Sequence, residues 1–172
     1  NKDFATVSFV SIFVIFAIIA IVFKSITLPI ILVAVIELAI FINMGIPFYT
    51  GATLPFIASV VIGTIQLGAT VDYAILMTNR YKLERSSGKE KNLAAKDALT
   101  ATMKSIIVSA CTFFGATFGV GAYSSIDMIS SLCLLMARGA VISMLCVICI
   151  LPAMFVVFDK AIVKGSYKFL DK

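Results

Sequence analysis

The sequence predicts an all-α membrane protein, a five-helix transmembrane bundle forming a single domain over residues 1–172. Of its residues 61% are hydrophobic and 13% charged, and mean hydropathy is +1.10, far outside the range of a soluble domain. The apolar residues fall into five runs long enough to cross a bilayer, and the charges cluster between the runs.

The first run, Phe4–Phe23, ends at Lys24. It lacks the basic start, short apolar core and cleavage site of a signal peptide, so it reads as a span. The second is Thr27–Met44, followed by GIPFYTGATLP (Gly45–Pro55), whose Gly and Pro residues form turns. The third is Phe56–Asn79, and a charged loop over 80–102 leads to the fourth, Met103–Tyr123. Within that loop GKEKNLAAKDALTATMKS reads as a partly amphipathic helix. Ser124–Asp127 links to an interfacial helix that places Arg138 near the outer surface, and the fifth span is Gly139–Phe158.

Lys24, the basic residues of the loop from Arg80 to Lys96, and Lys160, Lys164, Lys168 and Lys172 must share one side. The positive-inside rule makes that side the cytoplasm, so the N-terminus is extracytoplasmic in a multi-pass protein of the cell membrane. This also disposes of nucleic acid as a partner: the net charge of +5 reports orientation. Asn1 in place of Met and an outside start are expected of a piece whose preceding helix and external domain lie elsewhere.

Asp72 lies in GATVDYAILMTN, deep within the third run. A carboxylate there costs roughly 2.5–3.5 kcal/mol on insertion scales, so it marks a candidate functional site. Desolvation favours a neutral carboxyl and water favours the anion, which makes an intramembrane Asp a proton-binding switch. Gly68, Asp72, Ile75 and Asn79, extended outward by Thr64, share one helical face. Ser105, Ser109, Thr112, Ala116 and Gly119 form a similar face on the fourth span, and Gly115 and Gly119 add a small-xxx-small spacing. Matching depths predict that Ser109 or Thr112 meets Asp72, unless these hydroxyls bond their own helix. Glu37 is a possible second intramembrane charge, read first as structural: a partner for Arg138, or a group snorkelling outward.

Enzymes are disfavoured. No His supports a nucleophilic Ser, and Asp127 and Asp159 lie outside the spans, so no second aspartate faces Asp72 as in an intramembrane aspartyl protease. Cys111, Cys133, Cys146 and Cys149 read as inert buried thiols, with no metal and no cofactor implied.

GATVDYAILMTNRYKLERSSGKEKNLAAKDALTAT, with Asp72-Tyr73 followed by Arg80 and Glu84, resembles RND-superfamily transporters of MMPL type. SACTFFGATFGVGAYSSIDMI and ARGAVISMLCVICILPAMF resemble the last two helices of a half of such proteins. The resemblance implies helices 2–6 of an RND half, or the equivalent 8–12, in a proton-driven exporter of lipids or other hydrophobic molecules. It makes Asp72 and Tyr73 the proton-relay pair. The partners implied are membrane lipids, a hydrophobic or amphiphilic cargo, and the other half of the transporter or another protomer. The sterol-sensing domain, a five-helix RND-like unit, sets the alternative of a lipid-binding regulatory domain. The protein-export branch is disfavoured, because it follows its Asp with small residues and Asn.

The topology is testable by cysteine labelling in a background free of the four native cysteines. Positions in the 45–55 loop should react with an impermeant reagent in intact cells; position 89 should stay unlabelled until the membrane is opened.

Overall fold

The structure, a computed structural model, describes residues 2–51 and 56–165. Part of the expected first outer loop, 52–55, and the tail carrying Lys168 and Lys172 lie outside the described residues. Five helices account for nearly all of the rest: α1 Lys2–Phe23, α2 Thr27–Thr50, α3 Phe56–Ser86, α4 Lys91–Tyr123 and α5 Asp127–Gly165. Among the described residues four helices are long and apolar enough to span a membrane, namely Thr27–Tyr49, Val60–Ser86, Lys91–Tyr123 and Asp127–Val163; Phe9–Phe23 is a shorter apolar stretch.

The helices run past the apolar runs that seeded them. The loop expected over 80–102 is helical except at 87–90, because α3 continues through its charged end and α4 starts at Lys91. The interfacial helix expected before Arg138 is not separate: α5 passes through Arg138 without a break. A helix satisfies its own backbone on both sides of the membrane surface, so a change from apolar to polar side chains does not end it.

α2 likewise continues beyond Met44, through Pro47 to Thr50, and closes on Gly51, whose left-handed φ of 66° suits glycine. Pro47 has no N–H to offer the carbonyl of Asn43 four residues back. That carbonyl instead accepts from Arg138 Nη2 at 2.8 Å. A proline on one helix thus creates the acceptor that holds an arginine of another.

α5 is the hub, packing against α2, α3 and α4, while α1 packs on α2 and α3. The main core takes Leu28, Leu32 and Ile36 from α2, Met77 and Tyr81 from α3, Ala98 and Ile106 from α4, and Val147, Leu151 and Phe155 from α5. α4 buries chiefly small residues, Ala94, Ala95, Ala98, Thr102, Ala110 and Gly121, with Ile106 among them, so it lies close to its neighbours with little side-chain interdigitation.

Small residues do mediate close contacts, but not the expected pair. A Cβ at Gly115 or Gly119 would meet nothing within 4 Å, whereas one at Gly121 would lie 2.9 Å from Leu134 Cγ. One at Gly139 would lie 2.7 Å from Asn43 Nδ2 and 2.8 Å from Gln66 Oε1. The fourth span therefore keeps its Gly115–Gly119 face free, and the close approaches belong to α4–α5 and to α5 with α2 and α3.

Gly139→Ala should lower the thermal unfolding midpoint in detergent, equivalent to about 1–3 kcal/mol of overpacking. Gly115→Leu, in open space, should leave the midpoint of the purified chain unchanged.

Candidate functional site

No proline interrupts α3 between Phe56 and Ser86, so its 3.6-residue period sorts its side chains cleanly. Gln66, Thr70, Tyr73, Met77 and Tyr81 face the bundle and are buried. Thr70 and Thr78 satisfy their hydroxyls on the carbonyls of Gln66 and Ala74, both at 2.6 Å. Gly68, Asp72 and Asn79 lie on the outer face and are exposed.

Asp72 sits in a groove of about 270 Å³ between α3 and α4, which Tyr73, Leu76, Ser105, Ser109 and Phe113 also line. Ser109, predicted to support Asp72, is thus brought to it, and Ser105 joins them; both serines are exposed. Thr112 and Thr64 are not in this groove. Thr112 donates to Val108 O at 2.8 Å, and Thr64 to Val60 O at 3.0 Å. Matching depth along the axis fixed neither rotation nor the competing pull of a helix's own carbonyls.

Glu37 is half-buried on α2 and is not the partner of Arg138. Arg138 Nε donates to Asn43 Oδ1 at 2.9 Å. Asn43 Nδ2 in turn donates to Gln66 Oε1 at 2.8 Å, and Gln66 Nε2 to Ser143 Oγ at 3.0 Å. A polar network thus joins α2, α3 and α5 in the half of the bundle away from the charged α3–α4 connection. Of the four cysteines only Cys146 is buried; Cys111 and Cys149 are exposed and Cys133 is intermediate. The expectation of four buried thiols fails because apolar runs on a bundle surface face lipid as readily as core.

At the opposite end of the bundle the NRYKLER stretch fastens α3 to α5. Arg85 grips Asp159 with two bonds, Nε to Oδ1 at 2.9 Å and Nη2 to Oδ2 at 2.8 Å. The Tyr81 hydroxyl donates to Asp159 Oδ1 at 2.6 Å, and its ring stacks on Phe155 with centroids 4.7 Å apart. Glu84 pairs with Arg80 at 2.7 Å and with Lys89 at 2.6 Å. Lys89 also reaches Asp97 on α4 at 2.5 Å. The bonds to Asp97 and Glu84 raise the Lys89 ammonium above its usual value. A raised lysine stabilises fully below its unfolded value and loses that contribution only as pH climbs through the folded one, so this tie holds across the neutral range.

The model of the MMPL family matches residues 1–168. The chain belongs to the MMPL family. Comparison with curated proteins and with solved structures gives no significant match. As an MMPL chain with several membrane-spanning helices, it is a multi-pass membrane protein from a family of transporters. Among the described residues no cluster of His, Cys, Asp or Glu could hold a metal ion.

Sequence reasoning missed Asn43, Gln66, Ser143 and Asp159 in this MMPL chain. A signal existed for the first two: each is a lone amide inside an apolar run, where an unpaired polar group is costly. Asp159 carried no such signal, since it follows the fifth run immediately and looks solvated until Tyr81 and Arg85 are seen to cover it.

The Asp159 clamp is testable by stability. Asp159→Ala leaves the part-buried Arg85 guanidinium with only its bond to Lys89 O and should cost about 1.5–3 kcal/mol, as for losing hydrogen bonds to a charged group. Tyr81→Phe removes one bond to a charged group and should cost about 1.5 kcal/mol. Thermal unfolding of the purified variants checks both.

Proposed function

We propose that this chain is the membrane part of a proton-driven exporter of lipids or other hydrophobic molecules, with Asp72 taking up and releasing the coupling proton. The observation that carries this reading is the position of Asp72: exposed on the bundle, in a groove whose polar lining is Ser105, Ser109 and Tyr73. Facing hydrocarbon, a charged Asp72 is costly. It is stable when neutral, or when charged against a polar partner surface or water. Alternation between those two conditions is what proton coupling requires.

The neighbouring face of α4 suits such a partner. Ser105, Ser109, Thr112 and Ala116 are exposed and Gly119 is partly so; small groups of this kind let another helix approach closely and hydrogen-bond. The family resemblance supplies the occupant, the other half of the transporter or a second protomer. Tyr73, lining the groove beside Asp72, serves as the second member of the relay. No enzymatic step is assigned to this chain.

In the intact protein Asp72→Asn keeps the shape and removes the titration. It should abolish proton-dependent export while leaving membrane insertion intact. Tyr73→Phe should impair export, and Glu37→Gln should have a milder effect. Full proton-driven export by Asp72→Asn at the parent's expression level would overturn the relay and favour a lipid-binding regulatory domain instead.

A further inference from the structure

Gln66 lies seven residues before Tyr73, two turns earlier on the same buried face of α3. Its Oε1 accepts from Asn43, and its Nε2 donates to Ser143 Oγ at 3.0 Å and approaches Gly139 O at 3.4 Å. Ser143 is 1% exposed. It accepts from Gln66, and among the described residues no acceptor is found for its own proton. Tyr73 is 7% exposed, and its hydroxyl has no hydrogen-bond partner among the described residues.

Tyr73 and Ser143 line one small, partly open pocket together with Gln66, Thr70, Phe113 and Met136. Thr70 is already spent on its own helix. The cavity volume is about 10 Å³, close to the room that a single water requires. Buried polar groups with unspent capacity are met by protein or by ordered water; Ser143 has such capacity, and Tyr73, whose unpartnered hydroxyl keeps some access, lines the same space.

We propose that this cavity is a binding site for one ordered water, which accepts from Ser143 and bonds the Tyr73 hydroxyl, making Gln66 and Ser143 positioning residues for the relay. The positioning role rests on the relay reading above; the water site does not. Tyr73 lines both this cavity and the Asp72 groove, so it joins the two. The Gln66 amide does not titrate near neutral pH, and the network therefore orients the tyrosine without conducting.

The test uses the intact protein in phosphatidylethanolamine/phosphatidylglycerol vesicles. Ultraviolet resonance Raman spectra report the hydrogen-bonding of tyrosine hydroxyls, and the part lost in Tyr73→Phe is the Tyr73 signal. Ser143→Ala and Gln66→Leu should move that signal toward an unbonded hydroxyl, and Ser143→Thr should restore it. Proton uptake, read by pyranine inside the vesicles, should shift its half-maximal external pH by about half a unit or more in Ser143→Ala. The same change in a Tyr73→Phe background should add no shift.

An unmoved Tyr73 signal in Ser143→Ala overturns the water site. A moved signal with an unmoved pH midpoint overturns the positioning role. Asp72→Asn separates the two readings: if it leaves proton uptake intact, the relay fails while the Raman signal still judges the water. Should Ser143→Ala not reach the membrane, Ser143→Cys carries the same comparison with a weaker hydrogen-bonding group.

Discussion

Lipid tails are as apolar as leucine, so burial alone gives membrane helices little reason to settle in one register. In this chain α3 and α5 are held by two polar rungs, Gln66 to Ser143 in one half and Arg85 and Tyr81 to Asp159 at the C-terminal ends of both helices. Gln66 and Tyr81 are about 22 Å apart along α3, and Ser143 and Asp159 about 24 Å along α5, at 1.5 Å per residue. The near-equal spacings let both rungs form at once between parallel helices. A one-residue slip would break both and strand a guanidinium, a carboxylate and an amide in or near hydrocarbon.

That register decides where Asp72 points. Tyr73 belongs to the face fixed by Gln66 and Tyr81, and its neighbour Asp72 lies about 100° around the helix, toward α4 and the bundle surface. The small residues of α4 leave the groove open there. The same rungs that bury polar groups elsewhere thus leave one carboxylate without protein cover. Asn43 shows the opposite treatment: its carbonyl, released by Pro47, and its amide are both occupied, by Arg138 and by Gln66.

Much of the architecture was legible in the sequence, since uncharged runs of about 20 residues have few other fates. The helix ends were not, because hydropathy reports the membrane while backbone hydrogen bonds govern the helix. Asp72 stands out in the sequence through its cost, and Ser109, singled out by spacing, lines the same groove. Thr64 and Thr112 shared that spacing, yet each turned to its own backbone. Periodicity names a face without naming what covers it, which is why Gly115 and Gly119 looked like a packing seam and are open. The Asp159 clamp is tertiary in origin: residues 74 to 78 positions apart in sequence meet there.

On the relay reading, these ties also restrict how proton access can change. α3 has no internal proline and is fixed to α5 at two levels, so Asp72 cannot swing relative to α5 without breaking a rung. α4 is held to α5 at its C-terminal end, where Gly121 meets Leu134 and the Ser130 hydroxyl donates to Gly121 O at 2.6 Å. At its N-terminal end, Lys89 joins Asp97 to Glu84. Both walls of the groove are therefore anchored at their ends. The change that opens or closes Asp72 with least disruption is movement of whatever surface lies against the groove from outside. Coupling would then be a property of the interface this bundle forms, with the bundle itself moving as a block.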